Sequence, residues 1–472
     1  MRTPKLFIGQ NLREIRDQHK LTQARFAEQL GISTSYLNQM ENNQRHVTAS
    51  VLLALADAFA VDIASLSEND SDRLLADISE IIADPMFVTK QPTARDLKFL
   101  CQNTPTVARA FIAMHQAMRR AGEQLVELDH SLEQSGALNE PTPYDEVRDF
   151  FHYNDNYVHE LDIAAETLAA RLKKLSTDNI SALTQYLNKQ HKHSIRLEND
   201  KQSLHLLRQY DAKSKTLTLH SLSAASTRAF QIAHQVALIE HDDIMQTLAE
   251  SAGFQSDDAI AVCKIGLANY FAGASLLPYT EFHAVAKAER HDLDLLAHRF
   301  GASVEQIAHR LSTLQRPGKK GLPFFFARVD QAGNITKRHS ATKLQFARFG
   351  SACPLWNAHA AFEYPGRLLR QLAETPDGVR YLCLARSIEK PTGYYGQPVQ
   401  RYALALGCEI IHAREVVYAD SLDTDKTGTY EPIGISCRIC DRANCHQRAM
   451  PPLKRKIKVD QNNRGLIPYR LA

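Results

Sequence analysis

Three cysteines lie close together near the carboxyl end of the sequence, in the segment Cys437-Arg-Ile-Cys-Asp-Arg-Ala-Asn-Cys445. The chain has only eight cysteines in 472 residues, too few for a disulfide scaffold. Thiolates at spacings of three and five residues suit an iron–sulfur cluster or zinc, and the neighbouring Arg438 and Arg442 favour the thiolate form. We therefore expect Cys437, Cys440 and Cys445 to bind a metal.

A fourth ligand must come from elsewhere in the chain, because such centres take four ligands. Cys408, at the end of a predicted strand, is the first candidate, and Cys353 is the alternative. Three other cysteines lie in apolar helix or strand patterns and are predicted to be core residues: Cys101, Cys263 and Cys383. Spacing alone does not decide between a cluster and zinc.

A second group of residues has the pattern of a DNA-reading element. Thr22–Leu30 predicts a supporting helix, Gly31 can adopt the left-handed conformation of a tight turn, and Ser33–Asn42 predicts a reading helix. The segment resembles the phage-repressor-like XRE family of DNA-binding domains over about 60 residues. The resemblance implies that eight side chains face bases or the DNA backbone: Thr22, Gln23, Ser33, Thr34, Ser35, Asn38, Gln39 and Arg45.

A third group surrounds His234-Gln-Val-Ala-Leu, on a predicted helix, and is similar to the ImmA/IrrE zinc-peptidase family. That chemistry needs His-Glu-x-x-His, with two zinc-binding imidazoles and a carboxylate base. Gln235 and Leu238 replace the base and the second ligand, so we expect no working zinc site. We predict His234 to be a satisfied core histidine and the fold to be kept for holding a small ligand.

The elements that position these groups are mainly helical in the first 190 residues. Four short helices are predicted within residues 6–60, with a fifth near Asp62–Leu66, and long helices at Thr106–Gln134 and Tyr144–Leu175. The pattern Leu293-Asp-Leu-Leu-Ala-His-Arg-Phe-Gly also resembles a helix-turn-helix, but few of its side chains suit base edges. We expect that pair of helices to pack in the core.

Alternating patterns predict mixed α and β structure after residue 190. Strands are expected at 194–198, 217–220, 324–329, 380–385 and 402–408, and helices at 225–240 and 258–276. We therefore predict a multidomain chain, mainly α with α+β. Its predicted domains are a five-helix DNA-binding domain at 1–68, a helical linking and dimerisation region at 69–190, a degenerate peptidase-like ligand domain at 191–318, and a C-terminal α+β domain at 319–472.

Composition is that of an ordinary globular protein. Lys and Arg total 56 against 53 Asp and Glu, a net charge of +3, and 44% of the residues are hydrophobic. The first 50 residues carry seven bases and four acids, which suits contact with an anion. No long apolar run or signal-peptide core was found by eye, so we expect a cytoplasmic protein with no membrane partner.

The C-terminal half carries further motifs, among them Ala352-Cys-Pro-Leu-Trp, Phe362-Glu-Tyr-Pro-Gly-Arg, Pro432-Ile-Gly-Ile-Ser-Cys and Gln447-Arg-Ala-Met-Pro-Pro. With the two preceding domains, they resemble the short-chain fatty acyl transcriptional regulators of bacteria. The resemblance implies a regulator of propionate, acetate, glyoxylate or methylcitrate metabolism that binds operator DNA and senses short-chain acyl-CoA. It also implies a cysteine-bound iron–sulfur cluster, of the 4Fe-4S type, in preference to zinc.

The partners follow from this hypothesis. We expect a homodimer paired through the long helices between 106 and 175, because one reading helix contacts only a few base pairs. Four basic residues are candidates to bind coenzyme A phosphates: Arg228, Arg316, Lys319 and Lys320. The alternative functions are a metal-dependent peptidase acting on a repressor and an antitoxin-like binding protein.

Overall fold

The computed structural model divides the chain into two compact units, residues 1–129 and 130–472, which are described separately. The described residues are 9–42, 44–59, 74–75, 78–79, 81–82, 92–115, 117–118, 142–199, 206–342, 344, 352–390, 399–437, 440, 442–452, 455–463 and 465–471.

The first unit begins with four helices: α1 Gly9–Gln18, α2 Gln23–Gln29, α3 Thr34–Glu41 and α4 Ala49–Phe59. Their apolar faces meet in one core, in which Leu12, Phe26, Leu37 and Leu55 are fully buried. Four helices were predicted here. The fifth, near 62–66, lies outside the described residues.

A second small core follows in the same unit. Helix α5, Ala94–Asn103, begins with a capping box in which Thr93 and Asp96 bond each other's backbone N–H groups. Residues 105–115 are also helical, and Cys101 and Ala108 are buried between these segments. The remainder of the helix predicted up to Gln134 lies largely outside the described residues.

The second unit contains a helical layer: α6 Pro143–Tyr153, α7 His159–Leu172, α8 Asn179–His191, α9 Ala225–Glu240, α10 Asp242–Ser251, α11 Asp257–Leu276, α12 Tyr279–Ala288, α13 Leu293–Phe300 and α14 Val304–Ser312. Helix α11 is central, in contact with α6, α7, α9 and α10. By length and composition α11 is apolar enough to cross a membrane, but 56% of its most apolar window is buried in the protein. It is therefore accounted for as a core helix.

The single long helix predicted at 144–175 is wrong. The chain turns between α6 and α7, where Asp155 and Asn156 have φ angles of 49° and 55°. Val147 and Leu161 are buried in the core shared with α11. Because this apolar face packs within its own unit, it cannot serve as the expected pairing surface.

The pair α13 and α14 packs as predicted. Gly301 makes the turn with φ 61°, and Ser303 caps α14. Ile307 and Leu311 are fully buried, so the pair is part of the core.

A three-stranded sheet lies beside this layer, built from β1 Ser194–Glu198, β2 Arg208–Asp211 and β3 Thr216–His220. Its order is β1-β3-β2, with β1 parallel and β2 antiparallel to β3. Strand β2, which was not predicted, places Arg208 opposite Leu219.

A six-stranded sheet forms the C-terminal part, in the order β5-β4-β8-β7-β6-β9. Its strands are β4 Phe324–Val329, β5 Ile335–Ser340, β6 Leu369–Glu374, β7 Arg380–Lys390, β8 Gln400–Glu409 and β9 Glu431–Pro432. The short helix α15, Asn357–Ala360, lies against it, and a small hairpin, β10 Ile457–Lys458 and β11 Arg470–Leu471, follows.

The two faces of the six-stranded sheet bury different partners. Along β8, Leu404, Leu406 and Cys408 belong to the core shared with the helical layer, whereas Ala403 and Ala405 belong to a second core with Trp356. This follows from the alternation of side chains along a strand. The two candidate fourth ligands are thereby separated, since Cys353 belongs to the second core.

A buried ionic network joins the helices to the chain that leads into this sheet. Asp162 on α7, fully buried, accepts hydrogen bonds from Arg310 at 2.9 and 3.2 Å and from the Tyr270 hydroxyl at 2.5 Å. Arg316, in the linker, donates to the same carboxylate at 3.2 Å and to Glu166 at 2.7 Å. Two guanidinium groups and one hydroxyl therefore compensate Asp162.

Replacing Arg310 by Met leaves the Asp162 carboxylate without its main partner. We expect this variant to lose about 3–5 kcal/mol of unfolding free energy, because the remaining charge stays buried. Urea unfolding followed by the fluorescence of Trp356, the one tryptophan, measures the loss in the larger unit. In the control Arg299→Met, an exposed pair with Glu289 is removed and the loss should stay below about 1 kcal/mol. Equal losses in the two variants would contradict the account.

Candidate DNA interface and cysteine centre

The helix-turn-helix is capped at both of its helices. Thr22 accepts a hydrogen bond from the Arg25 N–H at 3.4 Å and begins α2, and Ser33 accepts from the Tyr36 N–H at 3.2 Å and begins α3. Gly31, with φ 66°, makes the turn between them. The local sequence therefore fixes both ends of the reading helix.

The reading helix α3 presents a polar face. Leu37 and Met40 are fully buried, whereas the predicted contact residues at the start of the helix and one turn later are exposed: Ser33, Thr34, Ser35 and Asn38. Gln39 is partly exposed, and the exposed Arg45 guanidinium lies 5.2 Å from the centre of the Tyr36 ring. These side chains are brought to one side of the domain, as a major-groove reader requires.

Gln23 has a structural bond as well as its predicted DNA role. Its amide donates to Glu41 at 2.7 Å, and Arg16 donates to the other oxygen of Glu41 at 2.8 Å. The Glu41 side chain is fully buried, and its hydrogen bond raises the pKa of Arg16. This bridge joins α1, α2 and α3. Sequence analysis missed it, although a Glu at the end of an otherwise polar reading helix is the available signal.

The peptidase-like region holds no pair of histidines one helical turn apart. His234 on α9 is 3% exposed, and its Nδ1 lies 3.0 Å from Asn269 Oδ1 on α11. Gln235, in the position of the catalytic base, accepts a hydrogen bond from Arg208 at 2.7 Å. Burial, followed by the Arg208 charge, lowers the pKa of His234 to about 4, so the ring is neutral near pH 7.

The prediction that His234 is a fully satisfied core histidine is only half right. Its Nδ1 is bonded, but its Nε2 is buried and has no hydrogen-bond partner.

The basic residues expected to bind phosphates are largely engaged elsewhere. Arg316 is held by Asp162 and Glu166, which makes it a structural residue and corrects that expectation. Arg228 donates to the Ser221 carbonyl at 3.4 Å. The carbonyls of Lys319 and Lys320 hold Tyr279 and His283, so this linker is tied down by its backbone.

Four cysteines line one cavity in the C-terminal domain: Cys353, Cys437, Cys440 and Cys445. The cavity has about 250 Å³ free of protein atoms, part of it open to solvent. Cys353 and Cys440 are buried, and the Gly434 N–H donates to the Cys353 sulfur at 3.3 Å. Burial raises the pKa of the Cys353 thiol, and the Gly434 N–H acts in the opposite direction.

Gly434 permits this close approach, and sequence analysis did not single it out. A Cβ atom at this position would lie 2.9 Å from the Cys440 sulfur. Two cavity sulfurs therefore meet the same glycine, one at its N–H and one at its Cα. A glycine three residues before the first cysteine was the available signal.

Cys408, the first candidate for the fourth ligand, does not line this cavity. It faces the helical layer from β8, and burial raises the pKa of its thiol to about 12. The structure therefore places the alternative, Cys353, with the other three cysteines. Cys101, Cys263 and Cys383 are buried, in keeping with core positions.

Two guanidinium groups also line the cavity, and neither has a printed carboxylate partner among the described residues. Arg448, 7% exposed, donates to the carbonyls of Cys437 and Cys440, each at 3.2 Å. Arg442 donates to the carbonyls of Ile433 and Glu374. No Asp or Glu is among the described lining residues. The predicted Arg438 lies outside the described residues.

The four thiols surround the cavity without converging on one point. Within the described ranges, no three His, Cys, Asp or Glu side chains are close enough together to hold a single ion. Tetrahedral zinc with bonds of about 2.3 Å would need sulfurs about 3.8 Å apart.

Comparisons with known proteins agree with this architecture. Three family models match successive segments: helix-turn-helix at residues 12–66, IrrE N-terminal-like domain at 188–312, and short-chain fatty acyl coenzyme A regulator, C-terminal, at 313–469.

Similar proteins are found over the whole chain. A propionyl-CoA carboxylase regulator of Cereibacter sphaeroides is 53% identical, covering 99% of this chain and 99% of that protein. The HTH-type transcriptional regulator PrpR of Mycobacterium tuberculosis is 39% identical over 98% of this chain and 95% of its own, and RamB of the same species is 38% identical over 98% of each.

A solved structure of a Mycobacterium tuberculosis transcriptional regulator, 41% identical, superposes with a TM-score of 0.66 and covers 70% of this chain and 100% of that one. The full-length relatives are named as regulators, and the peptidase alternative is not supported. This chain is a non-enzymatic transcriptional regulator with a helix-turn-helix domain, and it belongs to the short-chain fatty acyl coenzyme A regulator family.

Proposed function

We propose that this regulator binds operator DNA as a homodimer in the cytoplasm and that short-chain acyl-CoA changes its DNA affinity. Its target genes serve propionate, acetate, glyoxylate or methylcitrate metabolism. The observation that carries the proposal is the 53% identity, over 99% of both chains, to a propionyl-CoA carboxylase regulator.

The exposed face of α3 supports sequence-specific reading. Asn38 and Gln39 carry amides, which present a donor and an acceptor side by side, and Ser and Thr hydroxyls precede them. Amides of this kind pair with adenine in the major groove. A homodimer doubles this short contact by placing two readers one helical turn of DNA apart.

The altered peptidase-like domain supports ligand binding without catalysis. Gln235 is not a base, and its oxygen is bonded to Arg208. A fold that has lost its metal ligands and base can bind an acyl thioester without hydrolysing it. Binding then changes DNA affinity to the extent that the acyl-CoA prefers one conformation of the protein.

The four-cysteine cavity supports a bound iron–sulfur cluster. Arg442 and Arg448 lie beside the thiols without carboxylate partners in the described residues, so negative charge on the sulfurs would compensate them. The Gly434 N–H would stabilise a thiolate at Cys353. Such a group, when bound, supplies one-electron redox chemistry. Zinc is the alternative, and the separation of the thiols favours the larger group.

Replacing Asn38 and Gln39 together by Ala should weaken discrimination between DNA sequences. Loss of each base-reading amide costs about 1–3 kcal/mol, roughly 5- to 150-fold, at its own base pair. Selection from random duplexes, followed by Kd measurement on selected and scrambled DNA, tests this. The control Gln29→Ala removes an exposed amide from α2. Unchanged discrimination by the double variant would show that α3 is not the reader.

The cysteine assignment is tested by a matched pair, Cys353→Ser and Cys408→Ser. We expect anaerobically purified parent and Cys408→Ser to contain iron and absorb visible light, and Cys353→Ser to lose both, because Cys353 alone of the two lines the cavity. Metal analysis and an absorption spectrum are sufficient. Iron-free protein containing zinc would replace the cluster with a structural zinc site, and loss of iron in Cys408→Ser alone would reverse the assignment.

Calorimetry with acetyl-, propionyl- and butyryl-CoA tests ligand binding. Each added methylene that is buried should strengthen binding by about 0.8 kcal/mol, roughly fourfold, until the acyl site is full. Free coenzyme A provides the reference without an acyl group. The absence of heat with every thioester would reject acyl-CoA sensing and leave the DNA-binding role unaffected.

A further inference from the structure

Arg208 on β2 is a half-buried cation without a charged partner. Its printed hydrogen bond goes to the neutral amide of Gln235, at 2.7 Å. Burial lowers its pKa, and no carboxylate opposes that effect in the described part of the chain. An Arg in this situation is expected to bind an acceptor oxygen supplied by a ligand.

His234 follows Arg208 in the same cleft and offers the opposite group. Because Asn269 Oδ1 accepts from Nδ1, the neutral ring carries its proton there, and Nε2 has a free lone pair. That atom is buried without a partner in a side chain 3% exposed. A buried acceptor of this kind requires a donor.

The space beside Arg208 can admit an extended ligand. A cavity of about 230 Å³, part of it open to solvent, is lined by Leu206, Arg208, Thr218 and Leu219 among others. Arg208 lies between this cavity and α9, since it both lines the cavity and bonds Gln235. A ligand entering from the cavity therefore meets the guanidinium group first.

The two groups together select one ligand chemistry. A carboxylate suits Arg208 but presents only acceptors, which the lone pair of His234 repels. A metal ion suits the lone pair but is repelled by the guanidinium group. A secondary amide suits both, because its carbonyl accepts from Arg208 while its N–H donates to His234.

We propose that Arg208 and His234 form a receptor for a secondary amide in the pantetheine arm of acyl-CoA. This inference rests on the acyl-CoA sensing proposed above and assigns the residues that would recognise the arm. Gln235 positions Arg208, and Asn269 positions His234. The position of the former peptidase base thus holds the group that orients the ligand's carbonyl.

The experiment compares calorimetric Kd values of the full chain and its variants for three probes: propionyl-CoA, coenzyme A and adenosine 3′,5′-bisphosphate, which lacks the arm. Arg208→Gln should weaken both arm-containing probes by roughly tenfold or more, and His234→Asn, which keeps a donor for Asn269, by roughly threefold or more. Binding of the bisphosphate should be unchanged. Arg299→Gln, an exposed arginine on α13, is the control and should bind all probes like the parent.

The outcomes separate this inference from the proposed function. If the parent binds propionyl-CoA and both cleft variants bind it equally well, the receptor is refuted, His234 is satisfied by water, and acyl-CoA sensing stands. If the variants lose bisphosphate affinity by the same factor, the amide assignment is refuted. If the parent binds no coenzyme A compound, both proposals fail. Arg208→Lys, which keeps the charge, replaces Arg208→Gln if Trp356 fluorescence shows that the latter is unfolded.

Discussion

The buried carboxylate of Asp162 is the constraint on which the larger unit depends. It lies on α7 and is held by Arg310 of α14, Tyr270 of α11 and Arg316 of the linker. Because an uncompensated charge in this position is costly, these elements must stay together. Arg316 also lies 4.1 Å from the centre of the Tyr279 ring, and the Tyr279 hydroxyl donates to the Lys319 carbonyl. The route from the helices into the six-stranded sheet is thereby fixed.

That sheet separates two kinds of chemistry. One face belongs to the core shared with the helical layer, in which the peptidase-like cleft lies, and the other belongs to the core that contains Cys353. Alternation along β8 assigns Cys408 to the first face, where burial keeps its thiol neutral. Both sites rest on one sheet, yet their polar groups differ: the cleft has a cation beside a lone pair, and the cysteine cavity has two cations beside four thiols.

Local signals explain what the sequence analysis predicted correctly. The caps at Thr22 and Ser33 and the glycine between the two helices are encoded within a few residues, so the DNA-reading element and its exposed face could be predicted. The helix at 225–240 and the strand at 194–198 have the predicted bounds for the same reason. The break between α6 and α7 was missed because Asp155 and Asn156 adopt left-handed angles without a glycine to signal them.

Long-range contacts account for the rest. The choice between Cys353 and Cys408 depends on Gly434, which is 81 positions from Cys353 and approaches it only in the folded chain. The Arg208 contact with Gln235 depends on a strand that was not predicted. Arg316 was expected at a ligand phosphate because its burial against Asp162, 154 positions away, has no local signature.

The central claim, that acyl-CoA and operator DNA are coupled, is tested most directly by fluorescence anisotropy of a labelled, selected operator. The Kd of the dimer is measured at fixed salt with saturating propionyl-CoA and without it. Coupling between sites of this kind is worth about 1–3 kcal/mol, so the account predicts a change of at least about fivefold, in either direction. Equal affinities with and without bound propionyl-CoA would contradict it.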